Sequence, residues 1–165
     1  MPVVSNTSPI LNFAIINRLD LLYHQFGNVF IPPIVLDELM PENEFPEKGV
    51  IQQALQDQWL SVRKLNNAYL IQTLMLELDK VEAAAIALAL ELGMKHILMD
   101  ERDGRAKAKA LGLQPTGVLG ILLHAKRDGH VDSVKVEMQK LRSKAGFFIA
   151  DSLFAFILIE AGEQS

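Results

Sequence analysis

Short β-prone runs alternate with helical segments along the whole chain, and this alternation limits the fold more than any other feature. Pro2-Val3-Val4-Ser5 is the first such run. Asn6-Thr7-Ser8-Pro9 ends it, because a hydroxyl residue ahead of proline marks a first helical turn. Helical spacing then carries Ile10 to Ile15 and Leu19 to Phe26 as far as Gly27. Asn28 to Ile31 is the second strand, and Pro32-Pro33 opens a helix holding Val35, Glu38 and Leu39. Residues 41–50 read as a loop, 50–58 as a helix, 59–62 as a strand and 65–76 as a helix. Lys80 to Leu92 is an alanine-rich helix closed by Gly93. Lys95 to Met99 is a strand ending on Asp100-Glu101, followed by a helix over 102–111 and a short extended piece over 113–116. Helices are expected at about 117–128, 131–143 and 150–161. Strands separated by helices build a mostly parallel sheet covered on both faces, an α/β architecture.

At 165 residues, 50% of them hydrophobic, the chain is expected to form a single domain spanning 1–165. The last helices, about 131–161, pack on that domain or at a dimer interface. Leu153, Phe154, Phe156, Ile157 and Leu158 are apolar enough for either. No apolar run reaches the roughly 20 residues needed to span a bilayer, and the first residues lack the basic start of a secretory signal. No membrane association and a cytoplasmic location are therefore expected. The absence of cysteine removes disulfides, thiolate metal sites and a cysteine nucleophile. Any metal must then be held by oxygen or imidazole.

The net charge of −4 offers no overall attraction to nucleic acid. It is unevenly spread: residues 1–94 hold 5 Lys/Arg against 11 Asp/Glu, and residues 95–165 hold 11 against 9. The basic residues of the second half, among them Arg105, Lys126 and Arg127, form either a solvated face or a phosphate-facing one.

In parallel α/β sheets, ligands bind beyond the carboxyl ends of the strands. Asn6 closes the first strand, and Asp100 with Glu101 closes the fourth. Glu38 and Glu82 lie on helices able to reach the same crevice, each among apolar neighbours. Structural roles compete with this reading. A glutamate in a first helical turn is favoured by the helix dipole, which suits Glu82. Glu38 can be an exposed acid on an amphipathic helix, and Asp100 an N-cap for the next helix.

The order and spacing of several landmarks resemble the PIN-domain proteins, in particular the branch related to VapC-type toxin ribonucleases. The landmarks are Val4-Ser5-Asn6-Thr7-Ser8-Pro9, Ile31-Pro32-Pro33 leading to Glu38, and Glu82 before Ala85-Ile86-Ala87-Leu88-Ala89. They continue with Asp100-Glu101 before Gly104-Arg105, Thr116-Gly117 with Gly120, Ala125-Lys126, and Ala161-Gly162-Glu163. The resemblance covers nearly the whole chain. It implies a three-layer α/β/α fold with clustered acids that bind Mg2+ or Mn2+ and hydrolyse RNA phosphodiesters. By position Asn6, Glu38, Glu82 and Asp100 match the four site residues, with Glu101 an adjacent candidate not separable from Asp100. Ser8 resembles the hydroxyl residue that supports the first acid. The enzyme so implied is a metal-dependent endoribonuclease, the toxin of a pair with a small protein antitoxin, and a homodimer.

The residue types suit that chemistry, since hard divalent cations prefer carboxylate oxygen and activate water beside a phosphate. Arg105, one helical turn beyond Asp100, can meet a phosphate or pair with an acid of the site. Two departures from the family pattern stand out. Asn6 replaces an aspartate, which removes one negative charge and lowers the expected metal affinity. Val81 stands where a glycine often precedes the glutamate. A weakened nuclease is the expectation. A non-catalytic module binding RNA or protein is the alternative. A phosphoacceptor or nucleotide-binding domain is a third reading, disfavoured because no partner lysine is evident at Gln114-Pro115-Thr116 and no glycine follows the first strand in Asn6-Thr7-Ser8-Pro9.

Overall fold

The computed structural model describes residues 1–163. The single unit expected over 1–165 includes Gln164 and Ser165, which lie outside the described residues. Five strands, β1 (Val3–Ser5), β2 (Val29–Ile31), β3 (Leu60–Val62), β4 (His96–Leu98) and β5 (Gln114–Thr116), form one sheet in the order β3-β2-β1-β4-β5. Every pairing is parallel, with Val4 opposite Phe30 on one side and Ile97 on the other. The mostly parallel sheet expected from the sequence is wholly parallel.

The central strands β1, β2 and β4 are largely buried, so their successive residues serve different cores, while the edge strands β3 and β5 are more open. Val3, Val29, Ile31 and Leu98 belong to one apolar cluster, while Val4, Ile97 and Met99 belong to the other. The first cluster is covered by α1 (Thr7–Ile15), α2 (Asp20–Phe26), α8 (Val118–Arg127), α9 (Val134–Lys144) and α10 (Asp151–Glu160). α3 (Pro33–Leu39) and α4 (Lys48–Gln56) close its flank through Val35, Leu39, Ile51 and Ala54. The second is covered by α5 (Ala68–Leu74), α6 (Lys80–Glu91) and α7 (Arg102–Ala110). This is the three-layer α/β/α arrangement the sequence led us to expect. In α6 every residue from Glu82 to Ala89 is buried. Alanines at five of those positions let the helix lie close to the sheet with little side-chain entropy lost.

The helical run expected through residue 26 is interrupted after Ile15, where Asn17 takes a left-handed conformation (φ 59°) that asparagine tolerates better than most residues. α5 is shorter than the expected 65–76, because Asn67 caps it by accepting from the Leu70 amide at 3.1 Å. In α10, Ile157 and Leu158 are buried and the helix packs on α8 and α9, while Leu153, Phe156 and Ile159 are exposed. Among the described residues, no helix is long and apolar enough to cross a membrane.

The chain runs from β1 outward to β2 and β3, then returns to place β4 on the other side of β1. The carboxyl ends of β1 and β4 are therefore the point where strand order reverses, and crossover connections diverge there to leave a crevice.

Candidate functional site at the β1–β4 switch point

Asn6 follows β1 and occupies the N-cap position of α1, with its backbone N–H donating to Leu98 O at 3.0 Å. An N-cap asparagine normally turns its side-chain oxygen onto the helix N-terminus. Here no such bond is made. Asn6 is only 5% exposed, and its Oδ1 has no hydrogen-bond partner in the protein.

Asp100 follows β4 by two residues and does not cap the helix after it. That position belongs to Glu101, whose side chain makes no cap bond. Instead Asp100 Oδ1 accepts from the Val118 N–H at 2.9 Å, the first residue of α8. Its other oxygen, Oδ2, is buried without a partner. Burial raises the Asp100 carboxyl above the usual range, and the Val118 N–H and the Arg105 guanidinium counter this only in part. Arg105 Nη1 donates to Met99 O at 3.0 Å, which fixes the guanidinium beside the aspartate.

Glu82 is 7% exposed at the third position of α6 and shares a capping box with Asp79. The Glu82 N–H donates to Asp79 Oδ1 at 2.8 Å, and the Asp79 N–H donates to Glu82 Oε1 at 3.4 Å. This explains how an acid stays at the head of a buried helix and leaves Oε2 outside the box. Burial raises the Glu82 carboxyl, reinforced by the nearby charges of Asp79 and Glu101. The signal for the box, Asp79-x-x-Glu82, was present in the sequence.

Two glycines hold this geometry open. A Cβ on Gly117 would lie 2.5 Å from Asp100 Oδ1 and 3.1 Å from Arg105 Nη1. A Cβ on Gly104 would collide with Met99 Sδ and approach Glu82 Oε2 to 3.0 Å. Glycine is thus needed at both for the close approach of backbone to the acids.

Glu38, on α3, is exposed and accepts from Thr7 Oγ1 at 2.6 Å. That bond tethers it next to Asn6. The supporting role the resemblance implies for Ser8 falls to a hydroxyl whose Oγ is buried and unpartnered, whereas Thr7 makes the contact with an acid. The Thr7–Glu38 pair spans 31 residues and had no local sequence signal. Of the basic residues, Lys126 is occupied by Asp132 O and Glu163, and Lys107 pairs with Glu77.

Asn6 and Asp100 follow the adjacent strands β1 and β4, the charge of Glu101 acts on both Asp100 and Glu82, and Thr7 holds Glu38 beside Asn6. Every candidate ligand is a hard oxygen, the donor type a divalent cation requires. Among the described residues, however, no three Asp, Glu or His side chains converge closely enough to hold one ion. The fit is therefore to a cation held by one or two carboxylates that keeps several waters, as Mg2+ commonly does.

A family model, DUF3368, described as a PIN domain, matches residues 2–163. Neither the curated proteins nor the solved structures contain a match. With nearly its whole length matched, and with the sheet order and strand-end acids described above, the chain belongs to the PIN-domain family.

Proposed function

We propose that this chain, folded as one domain, is a metal-dependent endoribonuclease of the VapC type, the toxin of a pair with a small protein antitoxin, working as a homodimer in the cytoplasm. Membership of the PIN-domain family supports a nuclease-like activity. The observation that carries the reading is the pair of unpartnered buried oxygens, Asn6 Oδ1 and Asp100 Oδ2, on adjacent strand ends. Buried polar atoms are almost always hydrogen-bonded, so these two oxygens are open to a partner from outside the chain, a cation or a water; Ser8 Oγ, Gln25 Oε1 and Glu137 Oε2 are also without a partner in the protein.

A bound Mg2+ or Mn2+ supplies Lewis acidity and a more acidic water. Asp100 Oδ2 and Asn6 Oδ1 would hold it, with Glu82 Oε2 and Glu101 at the rim and Glu38 available on release from Thr7. The chain's own residues do the rest. Arg105, anchored to Met99 O, presents its guanidinium to a phosphate oxygen. Glu82, whose Oε1 is engaged in the capping box, would take the proton of the attacking water at Oε2 where that oxygen is not bound to the cation. The buried surroundings of Asp100 and Glu82 strengthen each of these interactions.

The test is cleavage of single-stranded RNA in Mn2+ by purified protein. Wild type should cleave and Asp100→Ala should lose activity by roughly 100-fold or more. Identical residual cleavage in both would assign it to a contaminant and reject the reading. One observation favours a second reading, a non-catalytic module binding RNA or protein: the side chain at position 6 is an amide, and no three-acid cluster is formed among the described residues. RNA binding with no cleavage in Mn2+ would support it.

A further inference from the structure

A cleft of about 550 Å3 opens from the candidate site toward the β5 edge of the sheet. Its lining includes the charged side chains of Asp100 and Arg105, the glycines Gly117 and Gly120, and the apolar side chains of Phe148 and Leu153. Phe148 is 86% exposed. An apolar ring left in water forgoes the stabilisation that burial gives. A loose loop would tolerate this, but the segment carrying Phe148 is fastened on both sides. The Phe147 N–H donates to Leu141 O at 2.9 Å, the Arg142 guanidinium donates to Ile149 O, and Ile149 is buried. The ring is therefore held exposed in the lining of a cleft that also contains a carboxylate and a guanidinium.

We propose that this cleft is a nucleobase subsite. An unpaired base next to the phosphate at Arg105 stacks on the Phe148 ring, with Leu153 as the apolar wall beside it. An exposed aromatic joined to a phosphate-binding cation is the combination that single-stranded nucleic acid recognises, because every base has a π face and each is linked to a phosphate. Gly117 and Gly120 add no side-chain bulk to the lining. The subsite rests on the nuclease reading for its substrate class and extends it by requiring the strand to be unpaired.

The experiment measures binding of a fluorescent single-stranded oligoribonucleotide to the full chain in EDTA, where hydrolysis is blocked, for wild type, Phe148→Ala and Phe148→Trp. The alanine variant should bind roughly 5- to 150-fold more weakly, the range set by one base–aromatic stack. The tryptophan variant should bind at least as well as wild type, which a merely structural role for the ring does not predict. Equal affinity of wild type and Phe148→Ala, or no binding by either, overturns the subsite. Retained Mn2+-dependent cleavage in that case leaves the nuclease reading standing. Binding that depends on Phe148 without any cleavage in Mn2+ keeps the subsite and rejects the nuclease. A wild-type dimer that Phe148→Ala converts to monomer, with RNA affinity unchanged, makes the ring a contact between copies and also overturns the subsite.

Discussion

Asp100 is held in a state that folding alone does not favour. Its carboxylate is desolvated, one oxygen is used by the Val118 N–H and the other has no partner. A group whose charged form is penalised in the native state weakens the fold wherever it is ionised. Because the native pKa is raised, this penalty is absent at low pH, grows as pH rises from the usual carboxylate range to the raised value, and is constant above it. Asp100→Asn keeps an oxygen for Val118 and removes the charge. It is expected to stabilise the metal-free protein by about 1 kcal/mol at neutral pH, with the advantage vanishing in acid. Chemical denaturation at two pH values checks this. A destabilised variant at neutral pH would mean that Arg105 compensates the aspartate fully. Asn6 poses the converse case, since its oxygen is buried without a protein partner but carries no charge. Asn6→Asp is expected to tighten Mn2+ binding by about tenfold or more, read by calorimetry. Unchanged or weaker affinity would remove Asn6 from the site.

At the level of elements, the strands and helices were legible because most strands stop at a residue that also starts a helix. Ser5-Asn6 into Thr7-Ser8-Pro9 and Ile31 into Pro32-Pro33 combine a β-prone run with helix-start chemistry, and both boundaries fall within a residue of expectation. What sequence could not supply was contact across distance. The bond from Thr7 to Glu38 and the one from Val118 to Asp100 join different elements, so no local spacing encodes them. The terminal landmark Ala161-Gly162-Glu163 is of this kind. Glu163 accepts from the N–H groups of Val134 and Lys135 at 2.7 and 3.1 Å and pairs with Lys126 at 3.1 Å, which caps α9 from the far side of α10. Burial raises the Glu163 carboxyl, but these donors outweigh it and leave the pKa lowered. Its contribution is thus complete above the usual carboxylate range and is lost as pH falls through the lowered value. Glu163→Gln is expected to cost about 1–2 kcal/mol at neutral pH and nothing in strong acid, the opposite pH signature to Asp100→Asn. Thermal melts of the two variants across pH distinguish a structural carboxylate from a functional one.

For the whole molecule, topology decides where chemistry can occur. A parallel sheet with order β3-β2-β1-β4-β5 has its reversal between β1 and β4, and the two unpartnered oxygens lie there. Glu82 lies in the first turn of α6, whereas Glu38 stands at the far end of α3 and is drawn beside Asn6 by its bond to Thr7. The sequence put Glu82 and Asp100 first, then Glu38, and set Asn6 apart for its missing charge, whereas the fold separates the four differently. Asn6 and Asp100 hold free buried oxygens, Glu82 divides its carboxylate between a capping box and the crevice, and Glu38 is tethered outside by Thr7. Binding of a divalent cation in this crevice is open to test by a crystal soaked in Mn2+ and measured at the manganese absorption edge. One anomalous peak is expected bonded to Asp100 Oδ2, at roughly 2.0–2.3 Å, with Asn6 Oδ1 or Glu82 Oε2 in the same shell. An ordered crystal with no peak between the ends of β1 and β4, or with manganese bound only elsewhere, would contradict it.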